Sequence, residues 1–281
     1  IDSLGNLVNV DDSTVLYASL GYSSRVWYCN LPDGRTAFSN GLITGLVTAS
    51  GYTRWGVPIP SGLGSATDVA GPLYPGDYRY SITYVRTADG LEGPPLHSEP
   101  VAIASGGITI MGMPTLAGHS INVYLTSHNG AEPFLAGNTS NSAFAFTGEN
   151  LELQARIKTN NLNPAPVGTL LGFWKTRALV AVGNVVYASL PHSFELFDMA
   201  RDFKQISQLN DTTITLLQPV DGGIFVGTDK ALYFMGGSSW DQLAIARPAV
   251  LGSVVLGSGV HAPGKRIGIG DGRANGDCML C

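Results

Sequence analysis

Gly76-Asp77-Tyr78-Arg79-Tyr80-Ser81-Ile82-Thr83-Tyr84-Val85-Arg86-Thr87 carries the clearest structural signal in the chain. Tyr78, Tyr80, Ile82 and Tyr84 alternate with Arg79, Ser81 and Thr83. A period of two is the side-chain repeat of an extended strand, in which neighbouring residues point to opposite faces. One face of this strand is expected to be buried and the other wet. Further strands are expected at 101–104, 108–111, 120–126, 133–136 and 143–146, at about the spacing of an immunoglobulin-like sandwich. Residues 72–150 therefore read as one such module. It is entered through Val57-Pro58-Ile59-Pro60 and Ser61-Gly62-Leu63-Gly64, a stretch with linker composition.

The same texture continues on both sides. Short apolar runs are separated by Asp33-Gly34, Asn40-Gly41, Asp89-Gly90, Asn129-Gly130, Asp221-Gly222 and Asn275-Gly276, dipeptides that accept positive φ and so close hairpins. Helical periodicity is missing except at 198–206, where a short helical turn is expected. Val15-Leu16-Tyr17-Ala18-Ser19-Leu20 matches Val185-Val186-Tyr187-Ala188-Ser189-Leu190 at five of six positions, so the two are expected to be the same strand of two blades. The segments 179–187 and 224–233 each read as a strand, a polar turn and a Tyr-bearing strand. The separation of Tyr187 from Tyr233 falls near the ~40–50 residues of a propeller blade, a unit that cannot bury both faces alone. The expected fold class is thus all-β. Propeller-like segments at 1–71 and 151–281 flank an inserted immunoglobulin or fibronectin type III-like module at 72–150.

Composition narrows the function. With 44% hydrophobic and 13% charged residues the chain has ample material for a core and is far from a disordered composition. Its formal net charge is −5, without a basic block, so direct nucleic-acid recognition is not expected. No apolar run reaches the ~18–20 residues of a membrane-spanning helix. No charged segment followed by an apolar one opens the sequence, so secretion by that route is not expected. Ile1 rather than Met stands first, and the natural chain is expected to begin earlier.

Each candidate for chemistry has a plainer reading. Gly21-Tyr22-Ser23 and Gly237-Ser238-Ser239 lack the second glycine and the helix of a nucleophile elbow. His97, His119, His128, His192 and His261 show no metal-ligand spacing. Cys29, Cys278 and Cys281 do not make a disulfide framework and fit a reducing origin; the Cys278 to Cys281 spacing reads as a terminal strand or turn. The Gly-rich run 267–272 precedes no helix, and 271–277 has Arg273 where a calcium loop needs an oxygen ligand. Carboxylate pairs such as Glu149 with Glu152, or Glu195 with Asp198, are too common to signify a glycosidase. Trp27, Trp55, Trp174 and Trp240 are expected in the core rather than on a sugar-stacking platform. No catalytic, cofactor-binding or metal-ligating residue is nominated.

Arg54-Trp55-Gly56-Val57-Pro58-Ile59-Pro60, the strand from Gly76 to Val85, Asp89-Gly90-Leu91-Glu92-Gly93-Pro94, Ile121-Asn122-Val123-Tyr124-Leu125-Thr126 and Gly227-Thr228-Asp229-Lys230-Ala231-Leu232-Tyr233-Phe234 follow one another in an order of motifs. That order resembles the propeller-type tail hub or nozzle proteins of tailed bacteriophages, in which an immunoglobulin- or fibronectin-like module interrupts a propeller. The resemblance implies a virion structural protein and no enzyme. It would be made in the host bacterial cytoplasm and assembled as a homo-oligomeric ring with adaptor, tail or fibre proteins. DNA would pass through without sequence-specific binding. Without the inserted module ~200 residues remain, enough for about four blades, so either the propeller is partial or the chain is a piece of a longer one. A carbohydrate-binding, lectin-like propeller or host-attachment protein is the alternative.

Overall fold

The computed structural model describes residues 2–20, 25–48, 51–146, 148, 154–207, 212–246, 259–261 and 278–280. Every regular element among them is a strand, so the all-β expectation holds. Among the described residues no sheet closes on itself. Among the described residues no helix is long and apolar enough to cross a membrane. The chain divides into a continuous unit, 56–164, and a discontinuous one made of 1–55 and 165–281. The chain leaves the discontinuous unit after Trp55 and re-enters it at Ala165, whose N–H donates to the Trp55 carbonyl at 3.0 Å. Placing exit and return side by side lets one compact body interrupt another without stretching it.

The discontinuous unit contains three successive antiparallel meanders. The first runs Trp27–Asn30, Thr36–Ser39, Thr44–Thr48, Gly51–Thr53. The second runs Leu170–Trp174, Arg177–Val182, Val185–Leu190 and Phe203–Gln205, with Ser193–Asp198 also pairing to Val185–Leu190. The third runs Ile214–Val220, Gly223–Thr228, Leu232–Gly236, Ala244–Ala246. Leu170–Trp174 lies beside Trp27–Asn30 and beside Ile214–Val220, so the sheets stack through their first strands. Farther along the chain, Gly259–His261 pairs with Cys278–Leu280.

Side-chain alternation explains the stacking. Leu171, Ala178 and Val180 of the second sheet join Leu31, Ala37, Leu46 and Trp55 in one core. Leu170, Leu179, Ala181, Val186 and Ala188 join Ile224, Val226, Met235 and Trp240 in another. The middle sheet is therefore buried on both faces, which is why Arg177-Ala178-Leu179-Val180-Ala181-Val182 is nearly continuous apolar sequence rather than a polar alternation. On the far side of the first sheet Phe38 packs with Leu7 and Leu20. The hairpin turns fall where the dipeptides predict: Gly34, Gly41 and Gly90 have φ of 84°, 85° and 73°, and Asn129 has 54°. Asn275-Gly276 lies outside the described residues.

Two expectations differ from the structure in this unit. Residues 198–206 are not helical. Asp202 N–H reaches the Asp198 carbonyl at 2.8 Å, but the chain extends again at Phe203–Gln205 because pairing with Val185–Leu190 supplies more hydrogen bonds than one isolated turn. The pair 15–20 and 185–190 shares residues but not surroundings. Among the described residues Val15–Tyr17 pairs only with Leu7–Val8, whereas Val185–Leu190 has strands on both sides. The second comparison does hold locally, since 179–187 and 224–233 are both hairpin arms lining the same core.

The continuous unit has a four-stranded sheet, ordered Leu96–His97, Tyr80–Arg86, His119–Thr126, Pro133–Thr139. A three-stranded sheet is ordered Ala143–Phe146, Gly106–Met111, Ser65–Ala70, and Gly76–Tyr78 pairs with Val101–Ile103. Tyr80, Ile82, Tyr84, Ile121, Val123 and Leu125 from the first share a core with Ile108, Ile110 and Phe146 from the second. The expected module 72–150 falls inside this unit, which also takes in Ser65–Ala70 and Val57. The stretch 57–64 has the composition of a linker, but Val57 is 1% exposed and belongs to the core.

Candidate functional site

The tyrosine face is buried as its periodicity predicts, and each buried ring keeps its hydroxyl satisfied. Tyr78 donates to the Tyr74 carbonyl at 2.9 Å, Tyr84 to the Pro114 carbonyl at 2.9 Å and Tyr80 to the Gly64 carbonyl at 3.3 Å. The opposite face is wet only in part: Arg79 is exposed as expected, but Ser81 is 2% and Thr83 0% exposed. Polar groups tolerate that burial because they find one another. Glu92 Oε1 accepts from Thr83 Oγ1 at 2.5 Å, Tyr124 hydroxyl at 2.6 Å and Asn122 Nδ2 at 3.0 Å. Burial, and then this carboxylate, pushes the Tyr124 phenol well above its ordinary range.

Beside that network the face opens into a cleft of about 430 Å3. It is lined by the buried Ser81 and Thr126 and by the exposed Arg79, His97, Glu132 and Arg156. Strand pairing sets this arrangement. Arg79 N–H donates to Thr126 Oγ1 at 3.0 Å, and Ser81 stands opposite His97, its Oγ sharing a 2.7 Å hydrogen bond with Nδ1. Across the cleft Leu135 N–H donates to the Ala155 carbonyl at 2.8 Å, which holds Arg156 over the Phe134 ring at 5.6 Å and 2.9 Å from Glu132. The Ser81 and His97 pair looks like half of a nucleophilic dyad. Among the described residues no third group orients the ring, and directly opposed strand residues form such bonds routinely.

A second recess, of about 340 Å3, lies in the discontinuous unit at the hairpin ends formed by Trp174 to Arg177 and Ser238 to Asp241. Lys175 adopts a positive φ of 54°, lies 4.5 Å over the Trp174 ring and donates to the Ser238 carbonyl. Trp55, Trp174 and Trp240 are core residues, each at most 4% exposed, and Trp27 is partly buried against two cores. The indole N–H of Trp55 donates to the Phe194 carbonyl at 2.7 Å and that of Trp174 to the Val220 carbonyl at 2.8 Å.

Of the carboxylates weighed as acid pairs, Glu195 and Asp198 serve the scaffold. Glu195 receives Arg35, and Asp198 Oδ1 caps its own turn through the N–H groups of Ala200 and Arg201. Arg177 and Asp202 form a buried ion pair at 2.8 Å. Ser238 donates to Gln242, and His119 and His128 bond the carbonyls of Ala117 and Pro75. Cys29 is a free thiol that burial pushes up to about 12. Gly21 to Ser23, Glu149, Glu152 and 262–277 lie outside the described residues, as do the side chains of 278–280. Among the described residues no three His, Cys, Asp or Glu side chains gather into a metal-ligand group. The chain matches no protein-family model and no curated protein.

Proposed function

We propose that this chain is a structural subunit of a tailed-bacteriophage virion, a tail hub or nozzle protein that works by assembly and without chemical turnover. The supporting observation is the layout of the discontinuous unit. Three antiparallel meanders, the first and third four-stranded and the second larger, stack through their first strands, and a compact unit departs and returns at hydrogen-bonded neighbours. On this reading the meanders are blades of a β-propeller, and 56–164 is the immunoglobulin- or fibronectin-like module that the motif order implies.

Stacked open sheets present unpaired edges and faces, which identical copies arranged around an axis would cover. Copies would form a ring around the DNA path, seat fibres or spikes and contact adaptor proteins. The net charge of −5 fits a conduit that releases DNA, since a lumen rich in Lys and Arg would retain it. Imaging purified particles by electron cryomicroscopy tests the proposal. Density for this chain with cyclic symmetry below the portal is the expected result; a scattered surface location, or full infectivity after deletion of the chain, overturns it.

A further inference from the structure

The cleft of the continuous unit holds donors that its own folding does not use. The Arg79 guanidinium is exposed and has no acceptor among the described residues. Thr126, 1% exposed, accepts from Arg79 N–H, while its hydroxyl proton has no acceptor among the described residues. A buried hydroxyl with a free proton beside an uncommitted cation is a ready environment for an oxyanion. Arg156 adds a second cation, half neutralised by Glu132 at 2.9 Å.

We propose that this cleft binds an acidic sugar unit. Arg79, Arg156 and the Thr126 hydroxyl hold its carboxylate or phosphoryl group, and Glu132 and Asn160 take its ring hydroxyls. The site goes beyond the assembly role and does not depend on it. Three observations select this ligand class. A volume of about 430 Å3 is more than a bare ion needs and lies in the range of small-molecule sites. Pro133 and Ile157 bring apolar surface next to hydroxyl, amide and carboxylate groups, matching a pyranose with its C–H faces and polar edge. Glu132 leaves the site with little excess positive charge, which suits one anion and repels a polyanion such as DNA.

The test is a ligand-observed NMR titration of the full chain with glucuronate, glucose 6-phosphate, glucose, inorganic phosphate and a short oligodeoxynucleotide. One or both acidic sugars bind, glucose binds about tenfold more weakly or less, and Arg79→Ala and Arg156→Ala each weaken the acidic sugar about tenfold. Which acid binds better identifies the anion as carboxylate or phosphoryl. Lys230→Ala, an equal charge loss on the other unit, leaves affinity unchanged. The Arg79 side chain has no hydrogen-bond or ion-pair partner among the described residues, so its variant is expected to fold, and an unchanged amide spectrum checks that. The proposal is overturned if neither acid binds, if glucose binds equally well, or if Arg79→Ala leaves affinity intact. It also fails if phosphate or the oligonucleotide binds as tightly as the better acidic sugar.

Discussion

Replacing Asp202 with Ala in the discontinuous unit should cost about 2 kcal/mol of stability, and the geometry supplies both halves of that number. Asp202 Oδ2 accepts from Arg177 Nη1 at 2.8 Å, with side-chain exposures of 4% and 11%. Removing the carboxylate leaves a buried guanidinium with the Ser189 carbonyl at 2.7 Å as its remaining hydrogen-bond partner among the described residues. Breaking such a pair from one side costs about 3–5 kcal/mol. Against this, Asp202 Oδ1 is buried without a hydrogen bond, and deleting it removes a penalty of about 1–3 kcal/mol. The midpoint of urea unfolding should fall by about 1 M for a slope near ~2 kcal/mol/M. All four tryptophans, Trp27, Trp55, Trp174 and Trp240, belong to this unit, so their fluorescence reports its unfolding. Asp202→Asn, which keeps an acceptor for Arg177, should lose less. Combining Arg177→Met with Asp202→Leu removes both charges and should recover most of the loss. A single Ala variant within ~0.5 kcal/mol of the parent, or a double variant as unstable as the sum of its parts, would refute the reasoning.

Gly45→Ala should destabilise the first meander by about 1–3 kcal/mol, because an added Cβ would lie 2.9 Å from Phe38 Cε1 and closer still to the Tyr52 ring; thermal unfolding followed by tryptophan fluorescence checks it. Cys29 should resist alkylation in the native protein at pH 8 and react quickly in urea, read by peptide mass mapping. Burial holds its thiol near 12 against the usual 9, so the stabilising contribution is full below pH 9 and falls as pH rises from there toward 12. A fragment spanning 56–164 should give a dispersed amide spectrum. One spanning 72–150 should give a collapsed spectrum, because it lacks Val57 and the strand Ser65–Ala70 that pairs with Gly106–Met111.

Some of the molecule is written in its local sequence. Period-two alternation from Tyr78 to Tyr84 specified a strand and its buried tyrosine face, since alternation is a property of an extended backbone wherever it lies. The Asp-Gly and Asn-Gly pairs specified hairpin ends for the same reason, positive φ being a local requirement. Tertiary structure decided what covers the second face. Ser81 and Thr83 read as wet, but Glu92 from the following loop and Tyr124 from a neighbouring strand bury Thr83 in a polar network. It also decided that the turn begun at Asp198 gives way to a strand at Phe203–Gln205, because strand pairing outweighs the preference of a short segment. The cleft lay beyond any motif search: Arg79 and Ser81 sit in the most legible strand, but His97, Thr126, Glu132 and Arg156 reach them only through strand pairing and a backbone bond from Leu135 to Ala155. Contacts between residues far apart in sequence leave no period along the chain, so the alternation could reveal the strand and not what gathers on it.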